Sequence, residues 1–209
     1  MPSWRGVMHE KAFALAPAMG LLLVSSAHGV RAQTAAVVFA TTMTVMLGVS
    51  AANHRAALRP SWEPWLRRAD HAAIHCFLAG TWTAVALVTL SGTTRVALAA
   101  LVWGAVAGAS LVTFVWVGVP GWIPAAIAVG VGWSTAVAFL QAASAVGAVG
   151  VALFLLGGLL YTAGALVYAL RRPEPHPAFG YHELFHLLVL AGLVCHYLAL
   201  SLFVLPLAG

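Results

Sequence analysis

Apolar stretches follow one another along nearly the whole chain, separated by breaks too short to hold more than turns, and that pattern leaves few folds open. Residues 13–27, 34–54, 70–90, 94–115, 122–140, 146–170 and 181–205 form seven such segments. A helix needs roughly 20 apolar residues, rising about 1.5 Å each, to cross a hydrocarbon core about 30 Å thick. With 62% hydrophobic residues, 7% charged and a mean hydropathy of +0.97, the 209-residue chain lies outside the soluble range. The expected fold is all-α: a single seven-transmembrane helix bundle over residues 1–209, with no extramembrane domain.

Only WVGVPGWIP separates the fourth segment from the fifth, so a six-crossing arrangement competes; the charges decide for seven. With seven crossings, Arg5, Lys11, Arg55, Arg59, Arg67, Arg68, Arg171 and Arg172 share the amino-terminal side, eight of the ten basic residues. Only Arg31 and Arg95 fall opposite. The positive-inside rule then predicts a cytoplasmic amino terminus and a carboxyl terminus outside. The formal charge of +5 is explained by this asymmetry, and no soluble domain organises a nucleic-acid groove. The first segment resembles a signal sequence in having Arg5 and Lys11 ahead of a short apolar run, but is read as a membrane helix. Cys76 and Cys195 lie inside segments and are read as packing residues.

The polar residues at membrane depth fall at one level. His182 and His186 open the last segment in HELFH, Ser50 and His54 close the second, and Asp70 opens the third. Alternating crossings put those three ends on one side of the bilayer. An ionisable side chain there costs at least about 2.5 kcal/mol unless paired or metal-bound. Positions i and i+4 share a helix face, so His182 and His186 can bind one ion, with His54 as the third imidazole. Three neutral imidazoles around a tetrahedral ion leave a fourth position for water, the open arrangement of catalytic zinc, and Zn2+ is the expected cofactor. Asp70 would bind the ion or, as favoured here, hold that water and accept its proton. Ser50 would orient the water or donate to a developing oxyanion; the competing reading is a serine bonded to its own helix carbonyl.

HELFH also fits the metalloprotease pattern H-E-x-x-H, which would make Glu183 the general base, although five residues alone are a weak signal. His196 is about 15 Å deeper than His186, too far for the same ion. His71 and His75 are weaker ligand candidates, and His9, His28 and His176 read as loop or interface residues.

The arginines, tryptophans and prolines of residues 55–69 suit the headgroup layer, as anchors. Glycines in the sixth segment, among them Gly147, Gly150, Gly157, Gly158 and Gly164, suit close helix packing.

Three blocks, SAANHR at 50–55, RADHAAIHCFLAGTWT at 68–83 and LLGGLLYTAGALVYALRRPEPHPAFGYHELFH at 155–186, resemble the bacterial hemolysin III proteins, related to the progestin and adiponectin receptors and the alkaline ceramidase group. The family pattern maps onto Ser50, His54, Asp70, His182 and His186. The resemblance implies zinc on the three histidines, an aspartate acting through the metal's water, and a bacterial inner-membrane location. Receptor relatives carry glutamine at the position of Glu183, which implies that this carboxylate is not an obligatory base. Asn53 stands where bacterial relatives often have tyrosine, and ALAPAMG stands where a Thr-His pair is common.

The leading expectation is a zinc-dependent hydrolase of a lipid amide or ester, ceramidase-like, with membrane lipids as partners and no nucleic acid. The alternative is a receptor-like sensor of membrane state whose zinc is structural and ties the second helix to the seventh. A pore-forming haemolysin finds less support, because no helix carries a polar stripe along its length.

Overall fold

The structure, a computed structural model, describes residues 4–55, 61–116 and 118–208. It contains α1 (Val7–Ser26), α2 (Gly29–Arg55), α3 (Glu63–Thr89), α4 (Gly92–Val115), α5 (Trp122–Ser134), α6 (Ala136–Leu170) and α7 (Tyr181–Ala199), the last continued by a π turn over Leu200–Val204 and a 3₁₀ turn over Leu205–Ala208. Among the described residues, six helices are long and apolar enough to cross a membrane, and α5, with 13 residues, is shorter. The chain is a multi-pass helical bundle.

Several helices begin earlier than hydropathy suggests, and the reason is local. Glu63 and Pro64 open α3: a proline in the first turn sacrifices no hydrogen bond, and a carboxylate there meets the positive end of the helix dipole. Asp70 therefore sits about two turns inside α3 instead of at its start. Half of the stretch expected to lie as an interfacial loop is helix; residues 56–60, with Arg59, lie outside the described residues. Trp62 and Trp65 remain exposed, and the Arg68 guanidinium lies 5.0 Å from the centre of the Trp65 ring. Likewise α1 starts at Val7, which brings His9 into the bundle.

The fifth and sixth crossings meet at a glycine. Gly121 lies against Tyr168, and Trp133 Nε1 donates to Thr162 Oγ1 at 3.0 Å, so α5 runs antiparallel to the later part of α6. Thr135, between the two elements, keeps right-handed helical dihedrals, whereas Gly147 (φ 76°, ψ 165°) does not. The reversal belongs at Gly147, beside the break expected between residues 140 and 146, in a conformation that side-chain-bearing residues resist.

Helix α2 is central: Ala32, Ala35, Ala36, Phe39, Met43, Met46 and Leu47 are all buried. Small residues set the spacing around it. A Cβ on Gly80 of α3 would fall on the Thr42 side chain, and one on Gly157 of α6 would fall on His196 of α7. Helices α1 and α2 pack together, α6 and α7 pack together, and α1 reaches α7. One end of the bundle therefore gathers the start of α1, the end of α2 and the starts of α3 and α7.

Candidate metal centre

Helix periodicity carries His182 and His186 on one face of α7, toward His54 in the last turn of α2. One ligand atom from each of the three lies within 4.8 Å of the others, and the ring centroids are 4.6–5.0 Å apart. His54 Nε2 and His182 Nε2 approach to 3.2 Å. Two nitrogens about 2.0–2.1 Å from a shared tetrahedral ion stand about 3.3 Å apart, so this pair has the spacing that such an ion needs. No hydrogen bond reaches either ring nitrogen of His186 among the described residues, and its Nδ1 is buried. The triad could hold a metal; its geometry does not select one element.

Asp70 is 8% exposed, with Oδ2 3.5 Å from His54 Nε2, and that same oxygen accepts a hydrogen bond from Asn53 Nδ2 at 2.8 Å. Asn53 precedes His54 in the final turn of α2, so one helix end supplies both an imidazole and the amide that aims the carboxylate. Nothing in the sequence marked this role for Asn53. Ser50, one turn earlier, is also buried, and its Oγ meets His9 Nδ1 of α1 at 2.8 Å. All five candidates, Ser50, His54, Asp70, His182 and His186, line one cavity.

His9 corrects the sequence reading. Expected in a loop or at an interface, it is 3% exposed, and its ring is stacked on that of His186 at 4.0 Å and 12°. The flanking charges of Glu10 and Lys11 concealed it, but Glu10 turns outward to accept a 2.8 Å bond from Arg55 Nε. His28 and His176 are exposed, as expected.

Glu183 faces other partners. It is 1% exposed; Oε2 accepts the Gly180 N–H at 2.9 Å, capping α7, and Oε1 lies 3.4 Å from Arg5 Nε. A carboxylate so engaged is a poor general base. The segment carrying Arg5 lies across the site: Trp4 N–H donates to the Ala178 carbonyl, and Gly6 (φ 73°) packs against His54 Cβ. Outside the triad, His75 Nε2 meets the Pro124 carbonyl at 3.2 Å, and His196 Nε2 meets that of Phe154 at 3.2 Å. Cys76 and Cys195 are both free thiols.

The cavity measures about 870 Å³ and runs from the histidines to His196. It lies toward the upper end of the range of about 300–1,000 Å³ usual for ligand pockets. Arg5, Arg67 and Arg171 are at its polar end; Phe77, Leu78, Trp82 and Phe154 contribute apolar walls. The arrangement offers a metal position, a fixed carboxylate and a hydroxyl beside space for a long apolar chain.

A family model described as "Haemolysin-III related" matches residues 1–197. "Hemolysin-3" of Bacillus cereus is 29% identical over 197 residues, covering 92% of this chain and 86% of that protein. "Hemolysin-3 homolog" of Bacillus subtilis (strain 168) is 28% identical over 123 residues, covering 59% of this chain and 55% of that protein. No solved structure matches the chain.

Proposed function

The chain belongs to the haemolysin-III-related family of membrane proteins, and from that premise we propose that it is a zinc-dependent intramembrane hydrolase of a lipid amide or ester. The observation that carries this reading is the convergence of three imidazoles and a buried carboxylate at the polar end of a long cavity with apolar walls. When bound, zinc supplies Lewis acidity toward a carbonyl and toward water.

His54, His182 and His186 hold the ion. Asp70 accepts a proton from water at its carboxylate and returns it to the leaving group, while the Asn53 amide keeps Oδ2 turned toward the histidines. Ser50 donates to the oxygen that gains charge on the scissile carbonyl. The walls around Phe77 and Phe154 take the acyl chain and keep bulk water from it. On this reading the end of the bundle that carries the site faces the cytoplasm at a bacterial inner membrane, and the distribution of arginines supports that orientation.

The test is purified protein loaded with zinc and offered a panel of ceramides, other acyl amides and acyl esters. Release of fatty acid supports the proposal, and Asp70→Asn should lower the rate about 10²–10⁴-fold while zinc stays bound. Absence of release across the panel from protein with one zinc per chain refutes it. The ion would also join α2 to α7, which favours, as a second reading, a sensor with structural zinc. On that reading Asp70→Asn leaves function nearly intact.

A further inference from the structure

A histidine bound to a metal normally has its other ring nitrogen fixed by a carboxylate, a carbonyl or water, and that outer bond sets the plane of the ring. No protein group among the described residues makes such a bond to His186, which is the buried member of the triad. The flat face of His9 lies against it at 4.0 Å, within 12° of parallel. His9 is itself held, because Ser50 Oγ meets its Nδ1 at 2.8 Å, and both groups are buried.

We propose that His9 is a positioning residue of the metal centre: anchored by Ser50, it fixes the plane of His186 by stacking where other metal sites use a hydrogen bond. This rests on the metal-site reading above. It gives α1 a part in a centre whose ligands come from α2 and α7, and it gives Ser50 a task besides any contact with substrate. His9 lies outside the group of donor atoms within 4.8 Å of one another, so the role assigned to it is beside the ligands and not among them.

The ring and its nitrogen are separable by substitution. His9→Phe keeps an aromatic face against His186 and loses the bond to Ser50; His9→Leu fills similar volume with no face to stack. Each protein, purified in detergent, is titrated with Co2+ against a competing chelator, and the visible spectrum of the bound cobalt reports ligand geometry. The phenylalanine variant, which keeps the face but not the anchor, should lose about threefold in affinity with a small change in the spectrum, while the leucine variant should lose about 10–100-fold and change the spectrum strongly. Equal behaviour of the two, whether both are unchanged or both impaired, overturns the proposal. Ser50→Ala, which leaves His9 in place without its anchor, should show a smaller loss in the same direction; an unchanged affinity and spectrum there counts against the anchor, and it serves as the test if the leucine variant does not fold. A wild-type chain that binds no cobalt removes the metal-site reading itself, a result distinct from either variant outcome.

Discussion

Gly6→Ala is a small change with a large expected consequence. Gly6 has φ 73°, where an L side chain costs about 1–2 kcal/mol. A Cβ added there would lie 2.5 Å from His54 Cβ and 3.0 Å from Arg55 Cγ. Carbon atoms prefer about 3.5–4.0 Å, so an overlap of about 1 Å must be relieved. No rotamer change moves His54 Cβ, which is bonded directly to the backbone. Overpacking of this kind adds about 1–3 kcal/mol, for a total of about 2–5 kcal/mol. The segment before α1 has the least holding it, so it should lift, separating Arg5 from Glu183 and Trp4 from Ala178. Hydrogen exchange in detergent should show protection lost over residues 4–9, and if about 2 kcal/mol of the strain remains on His54, metal affinity falls about 30-fold. Gly104→Ala, with nothing within 4 Å of the new carbon, is the control. If Gly6→Ala matches that control in exchange and in affinity, the packing of this segment on His54 is refuted. Gly6→Asn should recover at most the dihedral part of the cost, because its Cβ meets His54 as alanine's does.

His182→Ala should lower metal affinity by more than the roughly 100-fold expected for loss of an outer partner, measured by chelator competition. Stripping the metal should remove about 2.7 kcal/mol of stability if the free ion had been held at 100 times its Kd, lowering Tm by about 5–10 °C in a thermal scan. Glu183→Gln should keep an acceptor for Gly180 and leave turnover within about threefold, while costing about 1–3 kcal/mol through the partly exposed Arg5 pair; a loss of turnover at constant metal content would restore the metalloprotease reading. Gly80→Leu should force α3 from Thr42 on α2, costing at least about 1–3 kcal/mol and lowering the yield of folded protein.

The helices were legible because hydropathy reports directly on what a bilayer accepts. The convergence of His54, His182 and His186 was legible because alternating crossings and i, i+4 spacing both act along the sequence. What escaped was set by contacts between elements. The charges of Glu10 and Lys11 made the start of α1 look like a loop, whereas Glu10 is satisfied by Arg55 and the helix continues down to Val7. His9 was missed with it. Glu63 and Pro64 did carry a helix-start signal, but the neighbouring tryptophans and arginines suggested an interface, so Asp70 was placed at the helix end. Asn53 looked like a departure from a pattern; its bond to Asp70 depends on how α2 meets α3, which no local rule encodes.

His54 and His182 are 128 residues apart, which sets an order of events during synthesis. At roughly 5–20 residues per second, about 6–25 s of elongation separates them. For most of that interval the nascent chain carries Ser50, His54 and Asp70 but none of α7. On the metal-site reading, metal acquisition is therefore a late maturation step, completed only after the final helix leaves the ribosome, and chains arrested before Tyr181 emerge without the complete histidine triad however long they persist.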